Sequence, residues 1–226
     1  MSIKINSVSI LNKSSKIYLY KDMSFIFDND YYLIDGKNGI GKSVLLKVIS
    51  NLSIDRFQIN GTIEYDLIGL DCSKTILSQI AYLPQEDIFA TNNVLDEVLL
   101  SAKLYERAII SKNEVEELFE KFNISYLLNK KISKLSGGER KLVSLMCFFI
   151  RKKNALLYVL DEPFNNLDNK HIEIITSGIC KLLDENRVAS VLMVSHYKND
   201  EINKTFNIIR VNDLRLYSNN FKEEKK

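Results

Sequence analysis

The feature that most restricts how this chain can fold is a glycine-rich octapeptide, Gly36-Lys37-Asn38-Gly39-Ile40-Gly41-Lys42-Ser43. It carries every required residue of the phosphate-loop pattern G-x-x-x-x-G-K-[ST]. The residues before it, 31–34, are typical of a strand, and residues 42–51 are typical of a helix. In that setting backbone N–H groups and the positive end of the helix can surround a phosphate. The octapeptide therefore predicts a phosphate site in an α/β fold, and a chance glycine-rich turn is a poor alternative.

Two side chains of the octapeptide bring chemistry of their own. In loops of this kind the lysine, here Lys42, reaches the β- and γ-phosphates of a nucleotide. The hydroxyl of Ser43 is expected to ligate Mg²⁺. The loop therefore predicts binding of a nucleoside triphosphate together with a magnesium ion.

A second candidate follows the apolar run Leu-Leu-Tyr-Val-Leu at residues 156–160. This run predicts a buried parallel strand, whose carboxyl end delivers the adjacent acids Asp161 and Glu162 to the edge where α/β sheets bind ligands. We expect Asp161 to join the Mg²⁺ shell and Glu162 to polarise an attacking water. An aspartate at a strand end can equally be a helix cap, so this assignment depends on the phosphate loop.

A third candidate is Leu135-Ser136-Gly137-Gly138-Glu139, at the start of a predicted helix. Ser136 alone is a routine N-cap. Two glycines in a first turn, however, cost about 1 kcal/mol each against alanine. A chain tolerates that cost where its backbone must be approached closely, and a phosphate at this second helix N-terminus is the natural ligand.

Composition limits the class of protein. The chain of 226 residues has 46% hydrophobic and 27% charged residues, as globular domains do. Lys and Arg number 31 against 29 Asp and Glu, so no strong field favours nucleic acid or anionic lipid. Cys72, Cys147 and Cys180 are scattered, which argues against disulfides or a zinc site and is typical of a reducing compartment. No signal peptide or run of about 20 apolar residues occurs, so we expect a cytoplasmic protein.

The pattern of apolar residues predicts strands and helices in α/β order. Strands are expected at 3–10, 16–20, 23–27, 31–35, 61–65, 79–83, 156–160 and 188–194, with two more near 206–218. Helices are expected at 42–51, 95–105, 112–122, 137–152 and 169–185. The all-helical middle interrupts a parallel core as an insertion.

With these motifs in this order, the sequence resembles the ABC (ATP-binding cassette) ATPase family over nearly its whole length. Gln85, in Tyr82-Leu83-Pro84-Gln85, matches the Q-loop glutamine of that family. Asp168 matches the D-loop, although Asn165-Asn166 departs from the commoner Ser-x-Leu-Asp pattern. His196 matches the switch histidine that contacts the γ-phosphate, whereas His171 has no match and is expected to be a surface residue.

The resemblance implies one ABC-type P-loop NTPase domain over residues 1–226. Its parts are a parallel-sheet core, an N-terminal antiparallel β subdomain and a helical subdomain inserted at about 86–152. The implied ligands are ATP, bound by residues 36–43 with Val44, Gln85, Ser136, Gly137 and Gly138, and Mg²⁺, bound by Ser43, Gln85 and Asp161. The implied catalytic residues are Glu162 and His196, and Asp168 and Gln85 couple the dimer.

The resemblance also implies partners. The phosphate loop of one chain and the signature 135–139 of a second chain enclose the same ATP, as a homodimer or heterodimer. The usual adenine-stacking aromatic is missing around residues 12–16, so Tyr18 or Tyr20 is the candidate substitute.

The implied role is the ATPase subunit of a membrane transporter whose spanning subunits are separate chains, placing the protein on the inner face of the membrane. A soluble ABC ATPase acting on ribosomes or nucleic acid is the alternative, although residues 43–136 hold no sustained heptads and the chain has one cassette. Residues 61–65 and 78–82 favour export weakly, while 130–134 lacks the Gly-Glu-rich motif of fused exporters.

Overall fold

The computed structural model describes residues 2–28, 30–52, 54–66, 79–106, 110–150, 155–185, 190–212 and 215–218. Some sequence predictions lie outside these residues. They include the reduced thiol at Cys72, the contribution of Ser78 to the export pattern, residues 151–152 of the helix predicted at 137–152, and residues 188–189 of the strand predicted at 188–194. Within the described ranges, no helix is both long and apolar enough to cross a bilayer.

The strands are β1 (Ser2–Asn12), β2 (Tyr18–Phe27), β3 (Tyr31–Asp35), β4 (Phe57–Asp66), β5 (Ile80–Leu83), β6 (Leu157–Asp161), β7 (Ser190–Val194), β8 (Asn207–Asn212) and β9 (Arg215–Ser218). The helices are α1 (Lys42–Ile49), α2 (Val94–Glu106), α3 (Lys112–Lys121), α4 (Gly137–Ile150), α5 (Asn169–Glu185) and α6 (Asp200–Thr205). Two short 3-10 helices cover Ser125–Leu127 and Ile132–Lys134.

The chain forms two compact units. The first comprises Met1–Ile80, Leu156–Asp161 and Val188–Lys226, and the second comprises Ala81–Ala155 and Glu162–Arg187. The boundary passes between the two adjacent acids, so that Asp161 ends a segment of the first unit and Glu162 begins a segment of the second. The helical insertion at about 86–152 remains a prediction.

The first unit contains an antiparallel sheet with the strand order β2-β1-β4. The sequence predicted two strands where the structure has the single strand β2, so the predicted break near residues 21–22 is wrong. A bulge absorbs the irregularity instead: Asp22 has a φ of 48°, and its N–H donates to Ser9 Oγ at 2.9 Å. Bulges of this kind let a strand continue through a locally unsuitable sequence.

The strands β6, β7, β3, β8 and β9 of the first unit follow one another in the larger sheet. Neighbours in this series are parallel except for the last pair, β8 and β9. Every residue of β6 and β7 is buried, as expected for apolar strands covered on both faces. The helix α6 was not predicted, although Asn199 caps it by accepting a hydrogen bond from the Ile202 N–H at 2.8 Å.

The second unit is mainly helical. Nine consecutive residues of α4, from Lys141 to Phe149, are buried, and Cys147 is among them. The rings of Phe122 and Phe149 stack with centroids 4.9 Å apart. These contacts give the second unit an apolar core of its own, around which its loops are positioned.

Candidate functional site

The pairing of the strands in the first unit places three candidate segments at one edge. β3 and β6 each run parallel to β7, with Ile34 and Asp161 both opposite Val194. The glycine-rich octapeptide follows β3, Asp161 ends β6, and the segment that contains His196 follows β7. The carboxyl edge of a parallel sheet is where ligands bind in α/β folds.

The octapeptide depends on glycine where the chain turns into α1. Gly41 is the N-cap of α1 with a φ of 100°, a conformation that L side chains rarely adopt. A Cβ at this position would also lie 3.1 Å from Leu19 Cδ1 of β2. Gly39 has a φ of 77°. Of the two glycines that the pattern requires, Gly41 is thus explained by its backbone conformation. At Gly36 a Cβ would lie 3.0 Å from the Val211 carbonyl oxygen, so that close packing explains the glycine there.

The start of α1 has no capping side chain and no acid in its first turn. The partial positive charge of the helix N-terminus is therefore not offset locally by a carboxylate. An anion is the ligand that such a terminus favours, and the octapeptide wraps it with its own backbone.

Lys42 lies within this loop with 7% of its surface exposed. Its ammonium donates hydrogen bonds to the carbonyl oxygens of Gly36, at 2.6 Å, and Lys37, at 3.0 Å. The loop's own backbone thus holds the positive charge at the centre of the loop. Exchange of these carbonyls for phosphate oxygens requires rotation of one side chain.

Ser43 and Asp161 contact each other although they are far apart in sequence. The Ser43 hydroxyl donates to Asp161 Oδ1 at 2.9 Å, and Asp161 is fully buried. A hydroxyl and a carboxylate are hard oxygen donors, and Mg²⁺ in nucleotide sites takes one or two such ligands together with phosphates and waters. The pair fits a magnesium ion. Gln85, the third predicted ligand, belongs to the second unit, and its role at the metal remains a prediction.

The segment after β7 is fixed to the end of β3 by an ion pair. Lys198 Nζ lies 2.7 Å from Asp35 Oδ2. Burial raises the pKa of the Asp35 carboxyl, but the Lys198 hydrogen bond and charge, the Gly36 N–H and Arg210 together lower this pKa below its ordinary value. His196 is exposed in this segment, two residues before Lys198. The ion pair therefore anchors the histidine segment beside the start of the octapeptide.

In the second unit, Ser136 caps α4 through a capping box. Its backbone N–H donates to Glu139 Oε2 at 2.9 Å, and its hydroxyl accepts from the Glu139 N–H at 3.3 Å. Lys130 forms an ion pair with the other oxygen of Glu139 at 2.7 Å. The hydrogen bonds from Lys130 and from the Ser136 N–H lower the pKa of Glu139. A capping box and an ion pair thus hold the Glu139 carboxylate at this helix start.

The two glycines of this turn have different surroundings. A Cβ at Gly138 would lie 2.5 Å from the carbonyl oxygen of Asn166, whereas nothing lies within 3.8 Å of such a Cβ at Gly137. The close approach that the sequence predicted is therefore explained, at Gly138, by the chain's own backbone. Gly137 and Ser136 are exposed and remain available for a ligand.

The segment from Glu162 to Asp168 contains two non-glycine residues with positive φ angles. Glu162 is buried, with a φ of 52°, and Asn166 has a φ of 63°. Non-glycine residues in this conformation are uncommon and cluster at functional sites.

Asp168 is exposed, and its carboxylate accepts a hydrogen bond from the His171 N–H at 2.9 Å. The Nδ1 atom of the His171 ring also lies 2.9 Å from this carboxylate. These bonds from His171 lower the pKa of Asp168, so His171 is a partner of Asp168 rather than a simple surface residue.

Lys141 is a residue that sequence reasoning missed. It is 1% exposed, and its ammonium donates to the carbonyl oxygen of Gln85 at 2.9 Å and lies 2.8 Å from Asp87 Oδ1. The signal was present in the sequence, because Lys141 shares the helix face of Leu145 and Phe148 at spacings of four and seven residues. The Gln85 side chain itself is exposed.

One of the two candidates for stacking on adenine is excluded. Tyr20 is fully buried, and the atom Cε2 of its ring lies 3.4 Å from the position of a Cβ at Gly41. It therefore supports the phosphate loop from beneath, and its prediction as a stacking residue is wrong. Tyr18 is 38% exposed and remains the candidate.

Comparison with known proteins identifies relatives over most of the chain. The family model described as ABC transporter matches residues 20–165. The molybdate/tungstate import ATP-binding protein WtpC of Methanocaldococcus jannaschii is 35% identical over 80% of this chain and 59% of its own length. The probable branched-chain amino acid transport ATP-binding protein LivF of Archaeoglobus fulgidus is 31% identical over 77% of this chain and 76% of its own. The chain thus spans less than two thirds of WtpC.

Solved structures share the fold. A dimeric ATP-binding cassette in a post-hydrolysis state, bound to ADP and Pi, superposes with a TM-score of 0.77 at 22% identity, covering 96% of this chain and 98% of that one. The ATP-binding subunit of an ABC transporter superposes with a TM-score of 0.72 at 21% identity, covering 96% and 90%. The predicted fold, with a parallel sheet, an N-terminal antiparallel sheet and a helical part, is confirmed.

Proposed function

Because this chain belongs to the ABC transporter family, we propose that it binds and hydrolyses ATP as the nucleotide-binding subunit of a membrane transporter. The observation that carries the proposal is the hydrogen bond between Ser43 and Asp161, which joins the phosphate loop to the acid at the end of β6. The enclosed ammonium of Lys42 lies in the same loop. Together they supply the cation and the oxygen ligands that a magnesium–triphosphate complex needs.

ATP binding begins at the first unit. The backbone of residues 36–43, with Val44, surrounds the phosphates, and Lys42 exchanges its carbonyl partners for phosphate oxygens. Ser43, Asp161 and Gln85 would hold Mg²⁺, which when bound neutralises charge on the phosphates and lowers the barrier to attack on the γ-phosphate. Tyr18 stacks on the adenine ring.

Hydrolysis needs a group that orients water and a group that contacts the γ-phosphate. We assign the first role to Glu162, which is buried and whose backbone has the uncommon φ of 52°. We assign the second to His196, whose segment Lys198 anchors beside the phosphate loop. In such a site a positioned base contributes about 10²- to 10⁴-fold to the rate.

The active unit is a dimer in which two chains share each ATP. The exposed turn Ser136–Gly137 of one chain binds the γ-phosphate held by the phosphate loop of the other, and Asp168 and Gln85 couple the two sites. Charge-assisted hydrogen bonds of this kind contribute about 1.5–3 kcal/mol each, so that ATP stabilises the dimer and ADP, which lacks the γ-phosphate, does not. Hydrolysis then opens the pair.

The proposed partners are separate membrane-spanning subunits that hold this chain at the inner face of the membrane. Names of the relatives support a role in transport, since WtpC is a molybdate/tungstate import protein and LivF a branched-chain amino acid transport protein. The weak sequence preference for export gains no support from these names. Uptake and efflux assays on the assembled complex decide the direction.

We expect the chain to reach the membrane fraction when it is co-expressed with the membrane proteins encoded beside it, and to hydrolyse ATP there. The matched variant Glu162→Gln should reach the membrane equally well, because the substitution keeps the size of the side chain and leaves the phosphate loop unchanged. Its turnover should fall about 10²-fold or more. The measurement is phosphate release per purified complex. Purification with ribosomes or nucleic acid in place of a membrane protein would contradict the transporter assignment, and near-normal turnover of Glu162→Gln would remove this residue from its role.

A further inference from the structure

Lys141 is a charged residue enclosed within the second unit. Its side chain is 1% exposed, and its ammonium contacts one short segment of the described chain. These partners are the Asp87 carboxylate at 2.8 Å, the Gln85 carbonyl at 2.9 Å and the Pro84 carbonyl at 3.5 Å. The second turn of α4 therefore holds this segment through one cation.

The segment that Lys141 holds has no helix or strand of its own. Residues 84–93 connect β5 to α2, and residues 84–89 have no regular secondary structure. A second contact comes from the neighbouring residue of α4, since the Arg140 guanidinium lies over the Phe89 ring at 5.1 Å from its centroid. The position of the Gln85 backbone is thus determined from α4, while the Gln85 side chain stays exposed.

The same helix carries the turn that is proposed to bind the γ-phosphate. Lys141 follows Ser136 by five residues, a distance of about 7.5 Å along a rigid helix. A displacement of this turn must therefore move the ammonium, and the ammonium must move the carbonyl of Gln85. The same displacement would move Asp87 through its ion pair with Lys141 and Phe89 through its contact with Arg140, so that the segment follows the helix along its length.

We propose that Lys141 is a positioning residue that makes Gln85 and the Ser136–Gly137 turn move as one body. Through Lys141, the nucleotide contact made by Gln85 in one site sets the placement of the turn that serves the opposite site. This inference rests on the proposed function, because it assigns Gln85 and Ser136 to nucleotide.

Stability alone does not explain a buried lysine at this place. Desolvation of two charges consumes most of the gain from their attraction, and replacement of a buried ion pair by apolar side chains of similar volume is often neutral or stabilising. An apolar pair would not, however, hold a backbone carbonyl. The hydrogen bond to the Gln85 carbonyl is therefore the part of the arrangement that only the cation provides.

The test compares Lys141→Met with the double variant Lys141→Met/Asp87→Leu, in which neither charge is left unpaired. The matched control is Lys103→Met, which removes an exposed lysine from α2 of the same unit. We measure the ATP dissociation constant, the thermal unfolding midpoint, and kcat per titrated ATP site. Lys42→Ala supplies the background rate.

For the double variant we expect kcat to fall at least tenfold, with the ATP dissociation constant within twofold of wild type and an unfolding midpoint near that of wild type. Lys103→Met should match wild type in all three. A double variant that recovers wild-type kcat overturns the inference, as does one whose ATP binding and kcat fall in proportion. If wild type itself shows no more hydrolysis than Lys42→Ala, the proposed function fails, which is a distinct result.

Discussion

Two helices of this protein begin at candidate phosphate sites, and they begin in opposite ways. α1 starts at Gly41 with no capping side chain and no acid in its first turn, and it carries Lys42 and Ser43. α4 starts at Ser136 with a capping box to Glu139, whose carboxylate is also paired with Lys130. The first N-terminus has a local excess of positive charge, whereas the second is neutralised within its own unit.

The difference indicates that the two helix starts bind phosphate at different stages, the first in the single chain and the second in the dimer. A helix start without a cap gains most from an external anion, so that ATP should bind at α1 in the single chain. A helix start with a full capping box is stable without ligand, and a bound phosphate must compete with a carboxylate already present. The turn at α4 should therefore contribute only when a second chain delivers the phosphate. Three measurements test this contrast between the two helix starts.

The largest effect should come from removing the cation of the first site. Lys42→Ala should weaken ATP binding to the single chain by about 100-fold, because several charge-assisted hydrogen bonds are lost. Ser136→Ala should change the same dissociation constant by less than threefold, since in the proposed dimer this turn binds the ATP of the partner chain. Calorimetric titration at protein concentrations too low for dimerisation measures both.

The matched control for this comparison is Ser133→Ala, an exposed serine close in sequence to the second site. If Ser136→Ala weakens ATP binding as much as Lys42→Ala does, both helix starts bind ATP within one chain. The distinction between the two sites would then be wrong.

The two sites also differ in how far the sequence could predict them. The octapeptide predicted the first site, since its glycines and Lys42 are determined by local backbone conformation and by short-range hydrogen bonds. At the second site Ser136 was read correctly as a possible cap. The ion pair between Lys130 and Glu139 was missed. The two residues are nine positions apart, and the path of the intervening 3-10 turn decides whether they meet.

Long-range packing accounts for the remaining errors. The burial of Tyr20 beneath Gly41 and the continuity of β2 through Asp22 depend on register against β1, which no local pattern encodes. Lys141 was missed because its burial depends on a carbonyl acceptor from another segment, the Gln85 backbone, which the helix pattern alone does not reveal. The order of strands and helices, by contrast, followed the apolar periodicity closely.

An intermediate effect should appear in the dimer. With ATP and Mg²⁺, Glu162→Gln should dimerise, and it should stay monomeric with ADP, because only ATP has the γ-phosphate that both helix starts are proposed to contact. The double variant Glu162→Gln/Ser136→Glu should bind ATP as tightly through Lys42 but remain monomeric, since like charges repel in a partly desolvated site. Light scattering with and without nucleotide measures the mass.

Equal dimerisation of the double variant and of Glu162→Gln would mean that the Ser136 turn lies outside the interface. If Glu162→Gln stays monomeric in saturating ATP, the same pair of variants is compared in the complex with the membrane subunits. There the readout is trapping of unhydrolysed ATP, which Ser136→Glu should abolish.

The smallest effect should come from Glu139, whose carboxylate supports α4 and at the same time disfavours a phosphate beside it. Glu139→Gln keeps the capping geometry, because glutamine also serves in a capping box, but it removes the negative charge. We expect the variant to lose about 0.5 kcal/mol of folding stability at pH 7, as is typical of a partly exposed ion pair. In the Glu162→Gln background it should strengthen ATP-dependent dimerisation by about two- to fivefold, because one repulsive charge is absent.

The pH dependence separates the charge of Glu139 from its shape. The pKa of this carboxyl is lowered in the folded protein, so that its contribution to stability is complete above the ordinary carboxyl pKa and is lost as the pH falls through the folded value. Urea unfolding should therefore show wild type more stable than Glu139→Gln at pH 7. The difference should shrink once the pH falls below the ordinary glutamate pKa and disappear below the lowered pKa of the folded protein. A difference that persists in acid would assign the effect to capping geometry. A Glu139→Gln variant that dimerises less well than its parent would show that the carboxylate assists the phosphate site, and the contrast between the two helix starts would have to be reversed.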